Sequence, residues 1–95
     1  MKIEITARHF TASDKLKELI NEKIMKIEKF NSGIMNCHVI LTKENSGENV
    51  EINARMKGHD FSAHESSEFF EKSLINAVKK ITIQIKKQNE RVRVR

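Results

Sequence analysis

The sequence predicts an α+β fold: a two-layer sandwich in the order β-α-β-β-β-α, its four-stranded sheet covered on one face by two helices. Three observations predict it. Apolar and polar residues alternate at the N-terminus and in three further stretches between residues 35 and 65, the period of half-buried strands. After the first and the last of these stretches the apolar spacing lengthens to three and four, the period of an amphipathic helix. There is no proline, and the three glycines (Gly33, Gly47 and Gly58) all fall between patterned segments.

KIEIT is the first strand, with Ile3 and Ile5 on one face and Lys2, Glu4 and Thr6 on the other. TASDKLKELINEKIMKIEKF is the first helix, with Leu16, Leu19, Ile20, Ile24 and Ile27 in one stripe. Thr11 or Ser13 offers the hydroxyl that caps its start. Asn31-Ser32-Gly33 ends it, Gly33 being suited to the left-handed cap. MNCHVILTKE is a second strand facing Met35, Cys37, Val39 and Leu41 inward. ENSGEN turns into VEINARM, a third strand with Val50, Ile52, Ala54 and Met56 inward. Lys57-Gly58-His59 turns again, and DFSAHE adds Phe61 and Ala63. Ser66, Ser67 and Glu68 open the last helix, an acid there matching the helix dipole.

The segment that follows, FFEKSLINAVKKITIQIKK, fits two periods. Ile81, Ile83 and Ile85 alternate with Thr82 and Gln84 as in a strand, whereas Phe70, Leu74, Val78, Ile81 and Ile85 recur as a helical stripe. A strand from Ile81 would leave Phe70, Leu74 and Val78 on a stub too short to hold them. The helix is therefore expected to run to about Gln88. The division expected is a single domain over residues 1–90 and a basic tail over 91–95.

Ninety-five residues support one domain with one modest core. No apolar run approaches the roughly 18 residues of a membrane span, and MKIEITARHF has neither the charge nor the apolar run of a leader. A lone cysteine, Cys37, fits a reducing compartment, so a cytoplasmic place is expected, with no membrane partner. The net charge of +5 is concentrated in the last quarter of the chain. Ten basic and twelve acidic residues precede Lys72, and eight basic residues and one acid, Glu90, run from it to the end. On a helix, Lys72, Asn76, Lys79, Ile83 and Lys86, flanked by Lys80 and Lys87, form a ridge opposite the buried stripe. Lys15, Lys26 and Lys29 stand on the outer side of the first helix among Glu18, Glu22 and Glu28. Lysines along a rod can follow a phosphate backbone with little reading of sequence. A lysine-rich helix face is usually no more than a solvated one, but the near-absence of acids after Lys72 favours a polyanionic partner. Ile83 interrupts the ridge and favours a protein contact instead; RNA is preferred narrowly.

Catalytic chemistry is not indicated. His9, His38, His59, His64 and Cys37 show no ligand spacing, and Cys37 and His38 point to opposite faces of one strand, so no metal or cofactor is expected. No nucleophile stands beside a base, no glycine loop cradles phosphate and no small-molecule substrate is implied, so an enzyme is not expected. Phe10, Phe30, Phe61 and Phe70 fit core positions, leaving the outer sheet face without aromatics on which bases would stack.

The stretches ARHFTASDKLKELINEKIMKIEKF, HVILTKE and AHESSEFFEKSLINAVKKI resemble the ribosome hibernation promoting factor family. That family includes ribosome-associated inhibitor A and is also called the sigma-54 modulation protein family. The resemblance covers nearly the whole chain and implies a βαβββα fold like that of double-stranded RNA-binding domains. It further implies binding to the small ribosomal subunit and its 16S rRNA, in the channel for messenger and transfer RNA, with inhibition of translation under stress or in stationary phase. The chain resembles the short form, which lacks a further C-terminal domain, is monomeric off the ribosome and in some bacteria acts with a ribosome modulation factor. On this resemblance the rRNA-binding residues are Lys79, Lys80, Lys86 and Lys87, helped by Lys26, Lys29, Arg8 and Arg91. The pattern is broken where Glu71 replaces a tyrosine, Ile75 an aspartate and Ile83 a basic residue. Ile75 and Ile83 support a second reading, a diverged protein-interaction regulator of the sigma-54 modulation type with weak or no ribosome binding.

Overall fold

Alternation and helical spacing place every element in its expected order. A computed structural model describes residues 1–30 and 33–93 and contains β1 (Lys2–Arg8), α1 (Asp14–Phe30), β2 (Ile34–Glu44), β3 (Gly47–Met56), β4 (His59–Ser67) and α2 (Phe70–Arg93). The sheet order is β1-β2-β3-β4. β1 runs parallel to β2, the pairing that needs a crossover helix between them, here α1. β2, β3 and β4 form an antiparallel meander. Lateral rows carry the core across the strands: Ile3, Cys37, Ala54 and Phe61 in one, and Ile5, Val39, Ile52 and Ala63 in the next. The two helices cover this face with Ile20, Ile24 and Ile27 from α1 and Leu74, Ala77, Ile81 and Ile85 from α2, all buried.

Both hairpins are joined by two-residue turns, Asn45-Ser46 and Lys57-Gly58. Gly58 has φ +82°, a conformation a side chain resists. Gly47, the first residue of β3, has φ +153°, and a Cβ there would sit 2.9 Å from the main-chain oxygen of Ser67. At the corner between β1 and α1, His9 adopts φ 73°. The α1 cap is Ser13, whose Oγ accepts a hydrogen bond from the Leu16 N–H at 3.1 Å. Asn31 and Ser32, the expected stop of α1, lie outside the described residues, as do the side chains of Phe30 and Arg91 and residues 94–95 of the tail.

Three local expectations are corrected. Met35 does not face the core: the β2–β3 register shifts between Ile34 and Asn36, so Ile34 turns inward and Met35 is 57% exposed. Ser66 and Ser67 do not open α2, because β4 continues through Ser67 and the helix begins at Phe70. Its cap comes from elsewhere in the sequence: the Glu48 carboxylate on β3 accepts from the Phe70 N–H at 2.7 Å, placing a negative charge on the positive end of the helix dipole. The Glu48 carbonyl in turn accepts from Ser73 Oγ at 2.7 Å, which satisfies the only buried polar side chain among the described residues. Finally, α2 does not stop near Gln88 but continues to Arg93, about 36 Å of helix in all.

Candidate nucleic-acid interface

Side chains along one edge of α2 fix how the helix lies. Lys80 pairs with Glu65, the Gln84 amide bonds the main chain of Ser62, and Gln88 bonds His59 at 2.9 Å. As α2 advances its partners recede along β4, so α2 is antiparallel to β4. α1 is antiparallel to β1, and β1, β2 and β4 share one direction. The two helices are therefore parallel. Their starts meet where the Phe10 ring, just before α1, stacks on Phe70, centroids 4.8 Å apart and planes 16° from parallel.

Parallel helices bring like ends together, and here the far ends are both basic. Near the starts, Glu18 and Glu22 of α1 and Glu71 of α2 line one groove together with Lys15, so acids and bases are mixed there. Toward the other end lie Lys26 and Lys29 of α1 and Lys79, Lys80, Lys86 and Lys87 of α2, all exposed. The arrangement agrees with both helix dipoles, which favour acids at N-termini and bases at C-termini. The dipole acts only within the first and last turns, so of these residues it accounts for Glu71 and Lys29 alone. The result is a helix layer with one end of mixed charge and one basic end.

The structure gathers some of the sequence-derived site and separates the rest. Lys79, Lys86 and Lys87 lie on the solvent side of α2 as expected. Lys80 is also exposed but leans over the edge of β4 onto Glu65, so part of its charge is already matched. Lys26 follows Leu19 and Glu22 by seven and four residues, which puts it on the flank of α1 that faces α2. Arg8 is not part of this plate. In β1 the residues Ile3, Ile5 and Ala7 pack against the core, so Arg8 alternates onto the open face of the sheet with Thr6, away from the helices. Arg91 falls within α2.

Ile83 is 53% exposed in the middle of the lysines, and Phe69, 64% exposed, stands before the first turn of α2. The open sheet face is polar: Thr6 Oγ1 and His38 Nε2 lie 2.8 Å apart, Ser62 Oγ donates to Asn53 Oδ1 at 2.9 Å, and Arg55 Nε donates to Asp60 at 3.0 Å. That last bond holds the Asp60 carboxyl below its ordinary range. Cys37 is buried as expected, and burial pushes its thiol up to about 11. No three His, Cys, Asp or Glu side chains among the described residues are placed to hold a metal ion, and no described helix is long and apolar enough to cross a membrane.

Sequence reasoning missed Glu48, Ser73 and Gln84, which anchor α2 rather than form the plate. Gln84 had a signal: Lys80, Gln84 and Gln88 are polar residues at steps of four along the margin of the buried stripe. Glu48 had none, since only the meander brings it to the start of α2.

The family described as sigma 54 modulation protein / S30EA ribosomal protein matches residues 3–93. No curated protein sequence matches the chain. Among solved structures, a ribosomal subunit interface protein from Coxiella burnetii superposes with a TM-score of 0.89 at 24% identity, over 95% of this chain and 99% of that one. The N-terminal domain of Protein Y from Thermus thermophilus gives 0.83 at 18% identity, over 92% and 98%. At these identities the likeness is one of fold.

Proposed function

The chain belongs to the sigma 54 modulation protein / S30EA ribosomal protein family, and we propose that it is a cytoplasmic, non-enzymatic ribosome hibernation factor. It binds the small ribosomal subunit through 16S rRNA, occupies the channel for messenger and transfer RNA, and inhibits translation under stress or in stationary phase. The observation that carries this reading is the basic end of the helix layer, where Lys79, Lys86 and Lys87 of α2 and Lys26 and Lys29 of α1 are all exposed. Point charges on a rigid rod neutralise phosphates and release their counterions, giving strong binding that falls steeply with salt. The structural neighbour described as a ribosomal subunit interface protein supports the same partner. Glu65 shares part of the charge of Lys80. Arg8, on the other face of the sheet, contacts rRNA only where the site surrounds the domain. Off the ribosome the protein is a monomer.

The test is cosedimentation with ribosomes of the wild type and of a Lys79→Glu, Lys86→Glu double variant. Binding should fall by at least about tenfold at 0.1 M salt, on a salt slope reduced by roughly two. Unchanged affinity would overturn the assignment of this face. A partner retained after nuclease treatment, with no ribosomal protein in the complex, would replace the ribosomal reading with that of a protein-interaction regulator.

A further inference from the structure

Ile83 sits within a ring. Lys79 and Lys80 lie one turn before it and Lys86 and Lys87 one turn after, and residues three or four apart are neighbours on a helix surface. The two lysine pairs are separated by about 10 Å along the axis, and the gap between them is filled by an isoleucine that is 53% exposed. A face that only matched phosphates would have no use for an apolar centre.

On the reading that this end of α2 meets rRNA, we infer that Ile83 is a contact for an unstacked nucleobase, and that the RNA bound here is a single-stranded or looped segment. A strand crossing α2 sets successive phosphates against the two lysine pairs and lays the intervening base over the isoleucine. Duplex RNA cannot do this. Its base faces are closed in the stack, and it presents phosphates, sugars and groove edges that a side chain without hydrogen-bonding groups does not read. A protein partner fits the ring poorly, because the cores of protein interfaces are depleted in lysine. A second copy fits worse, since it would set lysines against lysines within a Debye length.

The experiment measures binding of the full chain to a fluorescent single-stranded RNA and to a duplex of the same length, across a salt series. It compares the wild type, Ile83→Ala, Ile83→Phe and the Lys79→Glu, Lys86→Glu double variant. The wild type should prefer the single strand. Ile83→Ala should weaken single-strand binding by about fivefold, leave duplex binding unchanged and leave the salt slope unaltered, whereas Ile83→Phe should strengthen the single-strand complex. An Ile83→Ala protein with the wild-type preference would overturn the inference while leaving the ribosomal reading intact. Loss of a nuclease-resistant protein partner on Ile83→Ala, with RNA binding unaffected, would also overturn it. Failure of the lysine variant to weaken either RNA would instead overturn the reading of the face itself. Ile83 is exposed, so its substitutions should leave the thermal melt in place, which circular dichroism verifies.

Discussion

Gln84 of α2 hydrogen-bonds both main-chain groups of Ser62 on β4: its side-chain N–H donates to the Ser62 carbonyl at 2.8 Å, and its side-chain oxygen accepts from the Ser62 N–H at 3.3 Å. β4 is an outer strand of the sheet, and an outer strand otherwise shows a row of unpaired groups to any passing chain. A helix side chain thus stands in for the next strand. Gln84→Ala should cost about 1 to 2 kcal/mol in urea denaturation and speed hydrogen exchange at the Ser62 amide. Gln84→Glu keeps the acceptor but loses the donor, so it should protect the amide while still losing stability. Unaltered exchange in Gln84→Ala would show that the bond does not persist in solution.

Gly47 and Gly58 offer a matched pair. Both have positive φ, but a Cβ at Gly47 meets the Ser67 carbonyl whereas a Cβ at Gly58 meets nothing within 4 Å. Gly58→Ala should cost about 1 kcal/mol, the conformational penalty alone. Gly47→Ala should cost more, roughly 2 to 3 kcal/mol, because the backbone of β4 must also move. Equal losses in urea denaturation would mean that the β4 backbone gives way at Ser67 without cost.

Burial raises the Cys37 thiol from 9.0 to about 11. The folded protein therefore keeps the proton over a range in which the unfolded chain gives it up. The contribution to stability is intact below pH 9 and is lost as pH rises from 9 toward 11. Over that window the wild type should lose on the order of 2 kcal/mol more than Cys37→Ala does, measured as the difference between their unfolding free energies at each pH. The difference also removes the contribution of titrating lysines. Parallel pH profiles for the two proteins would contradict the assignment.

Glu65 holds Lys80 at the edge of β4. Glu65→Gln removes the competing charge, so binding to ribosomes should tighten by about two- to threefold at 0.1 M salt and depend more steeply on salt. Weaker binding would mean that the pair positions Lys80 for its phosphate rather than competing with it. Cosedimentation across a salt series separates the two.

The fold was legible because each inward row alternates cleanly and each helix has one stripe. Even the ambiguous run at Ile81, Ile83 and Ile85 is decided by Phe70 and Leu74, which only a helix can bury together with Ile81 and Ile85. What escaped the sequence is non-local. The Met35 expectation failed because a strict alternation cannot show the bulge that turns Ile34 inward instead. The start of α2 was misplaced because local serines looked like a cap, while the group that caps it, Glu48, comes from another strand. The exposed lysines of α2 were legible from periodicity, but the position of Arg8 depends on which face of β1 is covered. The pairing of Lys80 depends on the path of α2 along β4.

Because α1 and α2 point the same way, the excess of ammonium groups gathers toward one end of their layer, while the other end is of mixed charge. Such a body, 47 Å in its longest extent, experiences a torque near a polyanion and swings lysines-first before any contact forms. The parallel packing of two helices thereby becomes a kinetic property: it governs how often a collision succeeds, separately from how long the complex then lasts.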